Sequence, residues 1–300
     1  MADLVSRIYS NFRGVDFRGE EINIVRSPDS LNVWKDYKET ESIRTRPGME
    51  QKVPFDDTVY GIFFYKGKML VHSGTKLYKV ENGNKSVIYS NLKEAASNSF
   101  VYDDVFYFKD GLHYLKYDGS TIENVVGYVP TTSISRKPMG GGTKYEDVNM
   151  LSDYRKNTFL ADGGSFSFFL DVVNIDEDFV PIVKYNDELV ATSEYEVDYK
   201  EGKVTFLHTA PDAPLTTGQD NVEIEFKKSV VDENGVKKYY KAIMECTLLQ
   251  VFDNRVFFSG NEEHPNVVWH CSLNDPSYVS DLDYYKEGQD TAAVKGLVAG

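Results

Sequence analysis

The chain has 300 residues, 33 of them basic and 47 acidic, for a formal net charge of −14. That balance argues against a broad basic face for nucleic acid, since phosphate binding is driven by Lys and Arg displacing counterions. The length predicts two domains or one large all-β domain carrying an insertion, and it is enough to bury a core without a metal or disulfide staple. The two cysteines, Cys246 and Cys271, therefore need no redox role. Heavy use of Tyr (21) and Phe (18) favours strands over disorder.

Residues 1–10 hold Asp3 and Arg7 and no apolar run long enough for a secretory signal. The longest apolar stretches, such as 61–65, are of strand length and far short of the roughly 18 residues that a spanning helix requires. Residues 1–55 read as an extended segment tied to the body of the chain.

Self-similarity sets the expected architecture. Apolar-aromatic runs at 59–65, 68–72, 76–80 and 85–89 are separated by Lys66-Gly67, Ser73-Gly74-Thr75 and Glu81-Asn82-Gly83-Asn84. Such spacers are hairpin turns, because Gly and Asn tolerate the positive φ of short β-connections. The scheme returns at 97–102, 105–109, 112–117 and 121–126, with Phe63 matching Phe100 and Gly74 matching Gly111, both at an offset of 37. A third copy begins at 248–258, where Asp253-Asn254 replaces the Asp103-Asp104 turn, and continues at 266–271. Residues 290–300 look like the opening strand of a fourth. Units of about 40 residues, each an up-and-down sheet of four strands, are the sequence form of propeller blades. The expectation is an all-β chain: an incomplete β-propeller of about three blades plus one strand, with blades 1 and 2 over 56–128 and blade 3 over 230–300.

The pattern breaks between the second and third copies. Residues 129–149 read as a turn-rich linker, and 150–229 as a small inserted β-sandwich with strands at 157–161, 165–171, 180–185, 195–199, 203–207 and 221–226. Helix signals are almost absent.

No chemistry emerges from the motifs. Gly140-Gly141-Gly142-Thr143-Lys144 lacks the order and following helix of a phosphate loop. His72, His113, His208, His264 and His270 have no metal-ligand spacing, and adjacent His270 and Cys271 fall on opposite faces of a strand. Asp176-Glu177-Asp178 lacks the frame of a calcium loop, and Asp103-Asp104 is a turn in preference to a glycosidase acid pair. No catalytic residue, metal site or cofactor is expected.

The segments 11–17, 26–33 and 44–48, with later stretches at 145–151, 155–160, 257–261 and 274–278, resemble a tailed-bacteriophage structural family of propeller proteins of the packaged-DNA stabilisation, nozzle or tail-tip type. The resemblance implies a non-enzymatic virion protein at the head–tail junction or tail tube, made in the host cytoplasm. It implies a ring around the DNA conduit, commonly of six copies, that joins other tail or connector proteins; the acidic balance fits a lumen that passes DNA without sticking, and the apolar runs offer no membrane anchor. Its signature residues are Arg26, Ser27, Pro28, Asp29, Asn32, Arg44, Arg46, Pro47 and Gly48. Pro28 removes a backbone donor and Pro47-Gly48 fixes a turn, while the forks of Arg26, Arg44 and Arg46 can tie an extended segment to carboxylates or carbonyls, or meet a neighbouring subunit. The rival expectation is a polysaccharide-binding adhesin using aromatics such as Tyr185, Tyr195 and Trp269, with glycan hydrolysis third.

Overall fold

The computed structural model describes residues 33–35, 43–45, 50–288 and 292–298. The chain divides into two compact units, Met1–Pro54 and Phe55–Gly300. In the first, β1 (Val33–Lys35) pairs antiparallel with β2 (Ile43–Thr45), setting Trp34 opposite Arg44.

The second unit is all-β, built of open sheets. Its first sheet is a meander of β3 (Val59–Tyr65), β4 (Lys68–Ser73), β5 (Lys76–Glu81) and β6 (Asn84–Ser90), in that spatial order. The second repeats it with β7 (Asn98–Tyr102), β8 (Val105–Lys109), β9 (Tyr114–Tyr117) and β10 (Ile122–Asn124). The first hairpin of each meander turns on two consecutive residues of positive φ: Lys66 (48°) and Gly67 (73°), Asp103 (45°) and Asp104 (58°). That is the backbone of a two-residue type I′ turn, whose twist matches the strands it joins.

Strand alternation gives each meander two apolar faces, and neighbouring meanders bury them. Phe63, Tyr65, Leu70 and Leu77 of the first pack on Phe106, Phe108, Leu115 and Tyr117 of the second. The opposite face of the second carries Phe100, Tyr102, Tyr107 and Tyr114, which belong to another core. Shifted by the 37-residue offset, Phe63, Tyr65, Leu70 and Leu77 become these same four positions.

Between the second and third copies, nine strands form two sheets. They are β11 (Thr131–Arg136), β12 (Thr143–Lys144), β13 (Tyr154–Phe159), β14 (Ser167–Phe169), β15 (Ile182–Tyr185), β16 (Glu188–Leu189), β17 (Tyr195–Asp198), β18 (Lys203–Phe206) and β19 (Val222–Lys227). A six-stranded sheet has the order β12-β11-β13-β19-β15-β16 and a three-stranded one the order β14-β18-β17. One core draws on both, with Phe159, Val183, Val222, Ile224 and Phe226 from the first and Phe168, Tyr195, Val204 and Phe206 from the second.

The stretch 129–149, expected as a linker, is instead part of this lobe. Strand β11 pairs parallel with β13. Its inward side chains are polar and hydrogen-bonded, which conceals the strand from a hydrophobicity pattern. Thr132 Oγ1 donates to Asp171 (2.6 Å), Asn157 Nδ2 donates to Thr132 (3.0 Å), and the Arg136 guanidinium donates to the carbonyls of Gly141 (2.7 Å) and Phe169 (2.9 Å).

The chain then makes its one described α-helix, the seven-residue α1 (Lys238–Met244), in keeping with the near absence of helix signals in the sequence. Seven residues are too few to show a long amphipathic period. Ala242, Ile243 and Met244 are buried in the core between the second and third meanders. The third meander is β20 (Leu248–Phe252), β21 (Arg255–Ser259), β22 (Val267–His270) and β23 (Tyr284–Lys286), again in sequence order. Asp253 (47°) and Asn254 (56°) repeat the turn. Strand β23 lies 13 residues beyond β22 and carries no repeat signal in the sequence. Residues 292–298 form no strand, so the expected opening strand of a fourth copy is not seen in its described part.

Val256, Phe258, Val267 and Trp269 complete the core begun by Phe100 and Tyr114. The second meander is thus covered on both faces, and the first strands β3, β7 and β20 follow one another along the stack. One hydrogen bond recurs at both contacts. Tyr65 Oη donates to the Asp104 carbonyl (2.5 Å), and Tyr102 Oη donates to the Asn254 carbonyl (3.2 Å). Donors and acceptors occupy equivalent repeat positions, so the second meander sits on the third as the first sits on the second.

A neutral intramolecular hydrogen bond contributes about 0.5–1.5 kcal/mol net. Tyr65→Phe and Tyr102→Phe should each lower the unfolding free energy in urea by about that amount, and the double variant by the sum, because the two bonds sit at different contacts.

Candidate functional site

The most unusual group in the chain is Lys109, at the end of β8, which is 2% exposed. Strand alternation aims it away from Phe106 and Phe108, toward α1 and the third meander. Its ammonium donates to the carbonyls of Ile243 (2.5 Å) and Cys246 (3.3 Å) and lies 5.3 Å from the centre of the Phe258 ring. The Ile243 carbonyl also accepts from the Cys246 amide (3.2 Å), so the buried cation adds a second donor where α1 ends. Burial pushes the Lys109 ammonium down to about 8. It also raises the Cys246 and Cys271 thiols, each to about 11, so both are protonated at neutral pH and poorly nucleophilic.

Next to Lys109, the carboxylate of Asp110 is enclosed and accepts from four donors. These are the backbone amides of Lys93 (2.8 Å), Leu112 (2.9 Å) and His113 (2.6 Å), and His113 Nδ1 (2.8 Å). Burial acts to raise this carboxyl, but the donated bonds outweigh it and hold Asp110 below its ordinary value. A cavity of about 430 Å³ opens here between the second and third meanders, lined by Lys93, Asn98, Lys109, Asp110, Cys246 and Glu262 among others. On its wall the side chains of Lys109 and Asp110 are engaged in holding backbone, which makes this part of the cavity a joint in the structure.

The position of Lys109 is used throughout the repeat. His72, its equivalent in the first meander, is fully buried and meets Ser97 Oγ (2.9 Å) immediately before β7, as Lys109 meets Cys246 shortly before β20. Ser259, the equivalent in the third, is also buried, but it donates to Val267 of its own meander (2.8 Å). Sequence comparison at the 37-residue offset could have flagged His72 and Lys109 as a polar pair amid apolar neighbours. It could also have flagged Tyr65 and Tyr102, and neither pair was singled out.

Of the signature residues, Arg26, Ser27, Pro28, Asp29, Asn32, Arg46, Pro47 and Gly48 lie outside the described residues. Arg44 is on β2. The other motifs resolve locally. Lys144 pairs with Asp147, Asp178 with Lys227, and Asp176 accepts from the Ser229 amide and hydroxyl. Among the described residues no group of three or more His, Cys, Asp and Glu side chains could hold a metal ion, and no helix is long and apolar enough to cross a membrane. Tyr195 and Trp269, two of the aromatics considered for sugar stacking, are buried, and Tyr195 Oη donates to the Pro181 carbonyl (2.6 Å). Tyr185 Oη accepts from the Asp212 amide (3.1 Å).

Comparisons with family models, with curated proteins and with solved structures find no match to this chain.

Folding lowers the Lys109 pKa from its ordinary value of 10.5 to about 8. Between those values the unfolded chain binds more protons than the native one, so the contribution of this group to stability rises as pH increases through the window. The full difference is about 3 kcal/mol. Lys109→Met removes this dependence, so the stability gap between wild type and variant, measured by urea unfolding, should shift in favour of wild type from pH 7.5 toward pH 10.5. A gap independent of pH would show that Lys109 is not desolvated.

Proposed function

We propose that the chain is a non-enzymatic structural protein of a tailed-bacteriophage virion, part of a ring or conduit at the head–tail junction or nozzle that retains and passes DNA. The observation that carries its blade-like architecture is the repeated tyrosine-to-carbonyl bond between successive meanders. One packing relation applied twice, with first strands adjoining and the middle sheet covered on both faces, fits blades set around a common axis. A two-layer sheet packing would leave no sheet covered on both sides. On this view the chain carries three propeller blades, and the lobe between the second and third is a β-sandwich formed by its six- and three-stranded sheets.

The resemblance of the amino-terminal and later segments to phage propeller proteins supplies the virion setting. Rigid, hydrogen-bonded joints between sheets suit a mechanical part. The net charge of −14 suits a passage for DNA, since an acidic wall repels phosphate and lets the polymer slide. Other tail or connector proteins are the expected partners, with six copies in a ring. The adhesin rival is weakened because Tyr195 and Trp269 are occupied in cores and offer no free ring face.

Antibody-gold labelling of purified particles should place this chain on the tail axis near the head–tail junction or tail tip. Label confined to peripheral fibres, or absent from particles, would overturn the assignment.

A further inference from the structure

Beside the Lys109 joint, a groove of about 460 Å³ runs between the β8–β9 turn and α1. Its apolar lining is Leu112, Val236, Tyr240 and Met244, and Leu112 and Val236 are 57% and 44% exposed. Neither is loosely held. Asp110 accepts from the Leu112 amide (2.9 Å). Asp232 accepts from the Val236 amide (2.9 Å), and its own amide donates to the Val236 carbonyl (2.9 Å). Each wall is thus fixed by its own turn, so a ligand would enter a groove already formed and would not bear the cost of ordering it.

Charge sets this groove apart from the rest of the chain. The protein carries a net charge of −14, yet the groove is bordered by three lysines, Lys93, Lys237 and Lys241, and by one carboxylate, Glu245. Lys237 pairs with Asp153, and Lys241 with Glu263 (2.7 Å) and Glu245 (3.8 Å). The Lys93 ammonium makes no ion pair among the described residues. It lies over Gly111, 3.5 Å from where a Cβ would stand, and Gly111 lines the same groove, so the unneutralised cation sits at the apolar surface. The Tyr240 hydroxyl is a second polar group there without a hydrogen bond among the described residues.

We propose that this groove binds an amphiphilic anion, a medium-length alkyl chain ending in a carboxylate, with the chain against Leu112, Val236 and Met244 and the carboxylate on the Lys93 ammonium. Removal of the chain from water supplies the affinity, and Lys93 supplies the choice of head group. The sign of that choice is diagnostic, because unspecific adhesion to a chain of −14 favours a cationic amphiphile over an anionic one. The site lies apart from the features that support the virion reading and stands or falls independently of it.

Isothermal titration calorimetry of the full chain with decanoate and with decyltrimethylammonium tests this, both kept below their micellar concentrations. Decanoate should bind one to one with a Kd of about 0.1 mM, and the cation at least about tenfold more weakly. Lys93→Met should weaken decanoate about threefold without weakening the cation, whereas Lys93→Arg should keep the wild-type preference. Leu112→Asp, which sets a carboxylate on the groove wall, should weaken decanoate at least about tenfold. Val236→Asp carries the same test if Leu112→Asp melts below wild type. Absence of saturable decanoate binding, a cation that binds as tightly as decanoate, or a groove variant that binds decanoate like wild type would each overturn the proposal, and none of these bears on where the protein sits in a particle.

Discussion

A four-stranded antiparallel meander has two apolar faces and cannot cover either by itself. Everything in the larger unit depends on how that deficit is met. The first and second meanders bury one pair of faces through Phe63, Leu70, Phe106 and Phe108, and the second and third bury the next pair through Phe100, Tyr114, Phe258 and Trp269. Apolar burial supplies the driving force but little direction. Register between sheets is set by polar groups at fixed points of the repeat: the tyrosine hydroxyls at one end of the first strands, and His72 and Lys109 at the far end of the second strands. Buried polar groups are costly unless satisfied, so each admits few alternative arrangements of its neighbour.

The meanders were legible in the sequence because their alternation and turn residues act locally. Lys66-Gly67, Asp103-Asp104 and Asp253-Asn254 announce the positive φ that the structure contains. The strands of the lobe were visible for the same reason, most clearly in the β17–β18 hairpin, where Tyr195 faces Phe206. What escaped was held by long-range polar contacts. Strand β11 has Thr132, Ser133 and Arg136 buried where a strand usually carries aliphatics, and its partner Asn157 lies 25 residues from Thr132. Strand β23 sets Tyr284 opposite Trp269 across the ladder after a long irregular excursion that no periodicity predicts. Of the joint around Lys109, the sequence disclosed only a lysine in a strand. Its importance depends on a helix about 130 residues away being folded against it.

The ionisable groups that are enclosed here point at backbone. Lys109 holds helix carbonyls, Asp110 gathers three amides and an imidazole, and Arg136 bridges two strands of the lobe through carbonyls. Groups spent in this way stiffen a framework.

Asn149 gives that stiffness a direction. Its buried amide donates to the carbonyls of Tyr128 (2.9 Å) and Ser277 (2.8 Å), and its oxygen accepts from the amides of Leu151 and Val279 (3.0 Å each). One side chain therefore fastens the approaches to β11 and β13 to the loop that leads into β23. A lobe attached through free tethers would swivel, whereas these four bonds restrain its root against the loop of the third meander.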